Sequence, residues 1–362
     1  MSERPFATEY TEARERFLSA AREAGATLVS YEHPLRGRRG EALATDLAVV
    51  GDPQAERALV VASGTHGVEG VCGSGIQVRL LEGVAPHIAD DLALVFVHAH
   101  NPHGFSWWRR TTEDNVDLNR NGRDRFDGLE PNAAYAEVHP LLVPADWDGP
   151  ARAAADEAIA TYIDQRGERA WQQAVSSGQH ERADGLFYGG REATWSQRTI
   201  RAYAAEHLAR FEHVGVLDLH TGLGPRGHGE LIYARDPGDD EHRRLVNWLG
   251  DDVTSVRDGS SASAPVEGTI DALFRSELGD GRVTFCVIEY GTLPIPDVLN
   301  ALRADNWLHA KGDPTGPEAE AVKAGMRAAF WGDEPEWQDA VTDRALECVR
   351  GMVRGLHSRV EA

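Results

Sequence analysis

Ala58-Leu-Val-Val-Ala62 runs straight into Ser63-Gly-Thr-His66-Gly-Val-Glu69-Gly70, and Cys72–Leu81 follows. The first run is short and aliphatic, as a buried strand is; the glycine-rich stretch reads as the turn at its carboxyl end, and the third segment as a helix. Strand, turn and helix make the repeating unit of an α/β sheet, where ligands collect beyond the carboxyl ends of strands. His66 and Glu69, three apart in this turn, can present an imidazole and a carboxylate to one point, with Gly64, Gly67 and Gly70 letting the backbone crowd it. Taken alone, the pair reads more readily as a loop histidine and a solvated glutamate in a glycine-rich turn.

Outward from this unit the same alternation continues. Strands are expected over 26–31, 45–50, 92–98, 214–219, 230–234 and 283–289, and helices over 9–23, 317–329 and 336–356. The stretch from Ala151 to about Arg210, rich in Ala, Glu, Gln and Arg, reads as helices broken at Gly178 and at Gly189-Gly190. The expected class is α/β: a mixed, largely parallel twisted sheet flanked by helices. With no fixed-period repeat and no low-complexity linker, residues 1–362 read as one domain with a helical insertion at about 121–212.

Composition removes several functions. Lys+Arg 37 against Asp+Glu 58 gives a formal charge of −21, which argues against nucleic-acid or anionic-membrane partners. The only lysines, Lys311 and Lys323, lie far along the chain, and Lys311 precedes Gly312, so neither a phosphate loop nor a Schiff-base lysine has a suitable place. Cys72, Cys286 and Cys348 make no disulfide framework, no apolar leader opens the chain, and no run is apolar enough to span a bilayer. A soluble cytoplasmic protein is expected, with homo-oligomerisation left open.

Three further clusters carry chemistry. Trp107-Trp-Arg109-Arg110-Thr111 leads to Asp117-Leu-Asn119-Arg120; two adjacent indoles suit a pocket wall, and the arginines suit bidentate binding of a carboxylate, although a surface ion-pair cluster with Glu113 and Asp114 fits as well. Asp218-Leu-His220-Thr221 ends an apolar run in a histidine, a ligand position or a core histidine satisfied by a carbonyl. Phe285-Cys-Val-Ile-Glu289 ends another in a carboxylate whose desolvation would raise its pKa toward that of a general base, unless an arginine pairs with it. Two other patterns are weaker. Gly222-Leu-Gly224-Pro-Arg-Gly227 spells GxGxxG without the helix such a motif needs, and His98-Ala-His100 lacks partners for a metal pair.

The ordered set HxxE, WRRT, DLNR, strand-terminal His and strand-terminal Glu, from about Ala58 to Thr292, resembles the zinc carboxypeptidase (M14) superfamily. His66-Gly-Val-Glu69-Gly, Phe187-Tyr188-Gly189-Gly190 and Glu289-Tyr-Gly-Thr292 look like its DUF2817 branch, and Asp218-Leu-His220-Thr221 is similar to the aspartoacylase and succinylglutamate desuccinylase branch. The resemblance implies a zinc carboxypeptidase-like fold and one zinc ion on His66, Glu69 and His220. It implies Glu289 as general base, Arg109 polarising the scissile carbonyl with Arg110 as a helper, Asn119 and Arg120 gripping a substrate carboxylate, and Asp117 orienting the first ligand histidine. The implied activity is zinc-dependent hydrolysis of an amide bond in a small carboxylate-bearing substrate. Carboxypeptidase action on a short peptide comes first, with N-acyl amino acid deacylation and metal or carboxylate binding without turnover as alternatives. No Tyr lies between Ala234 and Glu289, where the family's peptidases carry a capping tyrosine, so either the terminal carboxylate is handled differently or the cap comes from Tyr188 or Tyr233.

Overall fold

The computed structural model describes residues 5–52, 54–83 and 92–358; the first and last four residues of the 1–362 domain assignment lie outside them. One sheet of eight strands organises the chain: β1 (Thr27–Arg36), β2 (Ala42–Gly51), β3 (Arg57–Ser63), β4 (Leu92–His98), β5 (His213–Arg226), β6 (Gly229–Tyr233), β7 (Val253–Ser255) and β8 (Val283–Gly291). Their spatial order is β1-β2-β4-β3-β5-β8-β6-β7. The central β4-β3-β5-β8 block is parallel, and antiparallel β2 and β6 flank it. The expected mixed, largely parallel sheet flanked by helices is therefore what the chain forms.

Parallel strands buried on both faces need nearly continuous apolar sequence, and β3 and β4 supply it. Alternate side chains feed two separate cores. Leu59, Val61, Leu217, Leu219 and Ile288 pack against the helices Tyr10–Glu23, Gly70–Gly83, Asp240–Leu249 and Pro335–His357. Val60, Ala62, Val214, Val216 and Phe285 pack against Trp195–Tyr203, the π-turn Ala204–Leu208 and Asp271–Leu278. His220 and Glu289 fall on the second face, because each lies an even number of residues from Val216 and Phe285.

A third core sits beyond the carboxyl ends of the strands. Tyr135, Val138, Trp171, Val175 and Phe187 from the middle segment meet Val298, Leu302, Met326 and Phe330. The middle segment thus divides its labour: Trp195–Leu208 supports the sheet, and residues 133–187 build over its end. Its helices break at Gly178, as expected, and also at Gly167, whose φ of +87° ends Pro150–Arg166. Sequence reading gave no strand at β7, a three-residue edge element too short to show a period. No described helix is long and apolar enough to cross a membrane.

Candidate metal centre

β3 delivers His66 and Glu69 on the turn just past Ser63, and β5 delivers His220 near the end of its paired length. Backbone bonds from Gly67 N–H to the Arg110 carbonyl (3.2 Å) and from Val68 N–H to the Arg109 carbonyl (2.8 Å) clamp the turn. A Cβ on Gly67 would lie 2.0 Å from the Gly104 carbonyl carbon, so the close approach requires glycine.

Each of His66, Glu69 and His220 offers one donor atom, all within 4.8 Å of one another, and all three residues are buried. His66 Nδ1 lies 2.9 Å from Glu69 Oε1, His220 Nδ1 lies 3.0 Å from Glu69 Oε2, and the two Nδ1 atoms are 3.2 Å apart. A tetrahedral ion with bonds of about 2.1 Å has donor–donor edges of about 3.4 Å; the separations here, measured to both Glu69 oxygens, are of that order. The remaining ring nitrogens turn outward to carboxylates: His66 Nε2 lies 3.3 Å from Asp117 Oδ1, and His220 Nε2 lies 2.6 Å from Asp218 Oδ2. With the outer nitrogens donating to those carboxylates, each Nδ1 would offer its lone pair to a bound ion. Donor types, spacing and outer carboxylates all fit zinc.

Electrostatics favour a cation here. Burial alone would push the Glu69 carboxyl up, but His66 and His220 outweigh it and hold it down to about 2. Burial likewise opposes charge on His220, yet Asp218 and Glu69 raise it well above the ordinary imidazole range. Asp117 is held well below the ordinary carboxylate range: burial pushes it up, and Arg110, His66 and Arg120 overcome that.

Asp218 extends the network inward. It accepts from Thr65 Oγ1 (2.9 Å), which is 2.9 Å from His100 Nδ1, whose Nε2 is 2.8 Å from the Tyr203 hydroxyl. Sequence reading placed Asp218 on the face of His220 without assigning it a role; its position two residues earlier on one strand was the available signal.

The triangle opens into a cavity of about 210 Å³ that Arg110, Asn119, Arg120 and Glu289 also line. Glu289 accepts from Leu223 N–H (3.0 Å) and has no arginine partner among the described residues; burial and then the Glu69 charge push its carboxyl up to about 8. Arg110 Nε donates to Asp117 Oδ2 (2.8 Å), with Nη1 3.7 Å from Glu69 Oε1. Arg120 is buried, its Nη1 donates to the Asn119 carbonyl (2.9 Å), and its Nε is unpartnered; burial lowers its pKa to about 10. The Asn119 side-chain oxygen accepts from Ile270 N–H (3.1 Å).

Several expectations need correction. Arg109 does not line the cavity: its Nε donates to Asp305 (3.1 Å) and its Nη2 to Asn115 (2.8 Å), with Lys323 closing the buried cluster on Asp305. Of the two adjacent arginines it is Arg110, expected as the helper, that lines the cavity beside Glu69. The two indoles are not cavity walls either. Trp108 is buried with Nε1 donating to the Thr8 carbonyl (3.0 Å), and Trp107 stacks on His103. Neither Tyr188 nor Tyr233 reaches the cavity; the Tyr233 hydroxyl donates to Asp239 (2.7 Å), and Phe187 occupies the wall beside Tyr188. His98 and His100 diverge, the first stacking on Phe17 and the second joining Tyr203, so they form no metal pair. The GxGxxG stretch continues β5 and turns toward β6.

A family model described as "Protein of unknown function (DUF2817)" matches residues 6–344, so the chain belongs to that family. No curated protein matches the chain. Among solved structures it is similar to the carboxypeptidase A of Helicoverpa armigera (14% identity, 90% of this chain and 74% of that one, TM-score 0.48). It is also similar to an aspartoacylase family protein of Mesorhizobium loti (17%, 80% and 68%, TM-score 0.39) and to bovine thrombin-activatable fibrinolysis inhibitor in complex with tick carboxypeptidase inhibitor (10%, 95% and 98%, TM-score 0.43).

Proposed function

We propose that this protein is a zinc-dependent hydrolase that cleaves an amide bond in a small, carboxylate-bearing substrate, with carboxypeptidase action on a short peptide as the leading form. One observation carries the reading: the His66–Glu69–His220 triangle, the unpaired Glu289 carboxylate and the partly unsatisfied Arg120 guanidinium share one cavity.

Bound to the triangle, zinc supplies Lewis acidity toward a carbonyl oxygen and acidifies water. The chain's own groups do the rest. Arg120 and the amide N–H groups of Asn119 receive the substrate carboxylate, and the buried guanidinium gains the partner its Nε lacks. Arg110, fixed by Asp117, lies beside Glu69 and can stabilise negative charge growing on the carbonyl oxygen. Glu289 takes a proton from the attacking water and passes it to the leaving amine. Apolar walls from Val298, Leu302 and Phe330 exclude bulk water and strengthen each of these interactions.

Among the described residues no tyrosine lines the cavity. That favours N-acyl amino acid deacylation as the second reading, since the peptidases resembled here cap their substrates with a tyrosine. Product mass spectrometry on free-carboxylate peptides, their amidated twins and N-acyl amino acids, with and without chelator, separates the two. Chelator-sensitive release of C-terminal residues supports the peptidase; cleavage confined to N-acyl amino acids supports the deacylase; no turnover by the zinc-loaded protein removes both.

A further inference from the structure

The Phe187 ring stands against both guanidiniums of the cavity: Arg110 Cζ lies 5.2 Å and Arg120 Cζ 5.4 Å from its centroid. Phe187 is buried, with φ of +52°, a left-handed conformation that bulky L residues rarely adopt. Its backbone is pinned to the site, for the Phe187 carbonyl accepts from Gln179 N–H (3.2 Å) and the adjoining Tyr188 carbonyl accepts from Asp117 N–H (2.7 Å). Asp117 is the carboxylate that holds Arg110 and His66.

The two cations differ in what else secures them. Arg110 has Asp117, whereas no carboxylate among the described residues lies in ion-pair range of Arg120. The buried Arg120 and the half-buried Arg110 guanidiniums repel each other, and an aromatic face offsets part of that cost by attracting both. A ring also leaves the N–H groups free, which a carboxylate in its place would not.

We infer that Phe187 is a positioning residue of the anion site, an aromatic rest that holds Arg110 and Arg120 ready for a substrate carboxylate. The inference depends on those arginines being the carboxylate anchors of the proposed function. Replacing the ring by an aliphatic group of similar size removes the attraction that holds both guanidiniums in place against the cavity, so carboxylate affinity falls while the metal ligands stay in place.

The test is calorimetric binding of N-acetyl-leucine and of its amide to the zinc-loaded full chain, for the wild type, Phe187→Leu and Phe187→Trp, with zinc content and melting temperature measured on each. Phe187→Leu should weaken binding of the acid about tenfold and leave the amide unchanged, and Phe187→Trp should restore most of the loss. On a turned-over substrate the same change should raise KM with kcat nearly unaltered. Unaltered acid binding in Phe187→Leu overturns the inference, as does equal weakening of acid and amide, which would mark plain apolar packing. A wild type that binds acid and amide equally overturns instead the carboxylate-anchor reading beneath it, and the inference with it.

Discussion

His220 and Glu289 are register partners on the adjacent parallel strands β5 and β8. Partnered residues on neighbouring strands point to one face about 4.8 Å apart, so the proposed ligand histidine and a carboxylate with no arginine partner among the described residues are set side by side by the sheet itself. Glu289→Gln keeps the shape and the hydrogen bond to Leu223 N–H but removes the base. Turnover should fall at least a hundredfold with zinc stoichiometry unchanged; wild-type rates in that variant would exclude Glu289 from proton transfer.

Arg109 and Arg120 are both buried arginines near the site, yet they should fail differently. Arg120→Ala should chiefly raise KM for carboxylate-bearing substrates. Arg109→Ala strands part of the Asp305 charge and should cost about 3 kcal/mol of stability in urea titration, with Lys323 limiting the loss. Equal stability of wild type and Arg109→Ala would refute the structural role.

Asp218→Asn should weaken zinc binding ten- to a hundredfold, read by competition with a chromogenic chelator, because His220 loses the carboxylate that fixes its Nε2. Unchanged affinity would show that the Asp218 carboxylate does not orient the ring.

How far the site could be read from sequence follows from the kind of element each residue occupies. His66, Glu69, His220 and Glu289 sit at or just past the ends of strands, where period and apolar run length fix where a side chain emerges, and the structure gathers them as that pattern indicates. Arg109 and Arg110 follow Trp108, whose φ of +49° turns the chain within an irregular segment. No period there says which of two adjacent arginines faces inward, and Asp305, the partner that draws Arg109 away, lies nearly two hundred residues along the chain. The sheet's strand order and the closeness of Phe187 to both arginines are likewise products of long-range packing.

Acid should destabilise the protein through histidines buried as neutral groups. Burial pushes His98 and His100 down to about 4 from an ordinary 6.5. The unfolded chain binds those protons first, so stability is full above pH 6.5 and declines as pH falls toward 4, by about 3 kcal/mol at most for each. Urea midpoints measured from pH 7 to 4.5 should drop, and His98→Gln should flatten the slope; a slope unchanged by that substitution would show that His98 is not the group responsible.

Much of the cavity wall comes from segments outside the sheet, while Ile232 and Val287 line it from β6 and β8. His66 and Glu69 follow β3, and His220 and Glu289 lie on β5 and β8, whereas Trp171, Phe187, Val266, Val298 and Leu302 come from segments that join no strand of the sheet. Substitutions in those connecting segments can therefore reshape what enters the cavity while the frame of His66, Glu69, His220 and Glu289 stays fixed. Residues 171–187, 256–269 and 295–302 are where a change of diet for the proposed hydrolase should be sought.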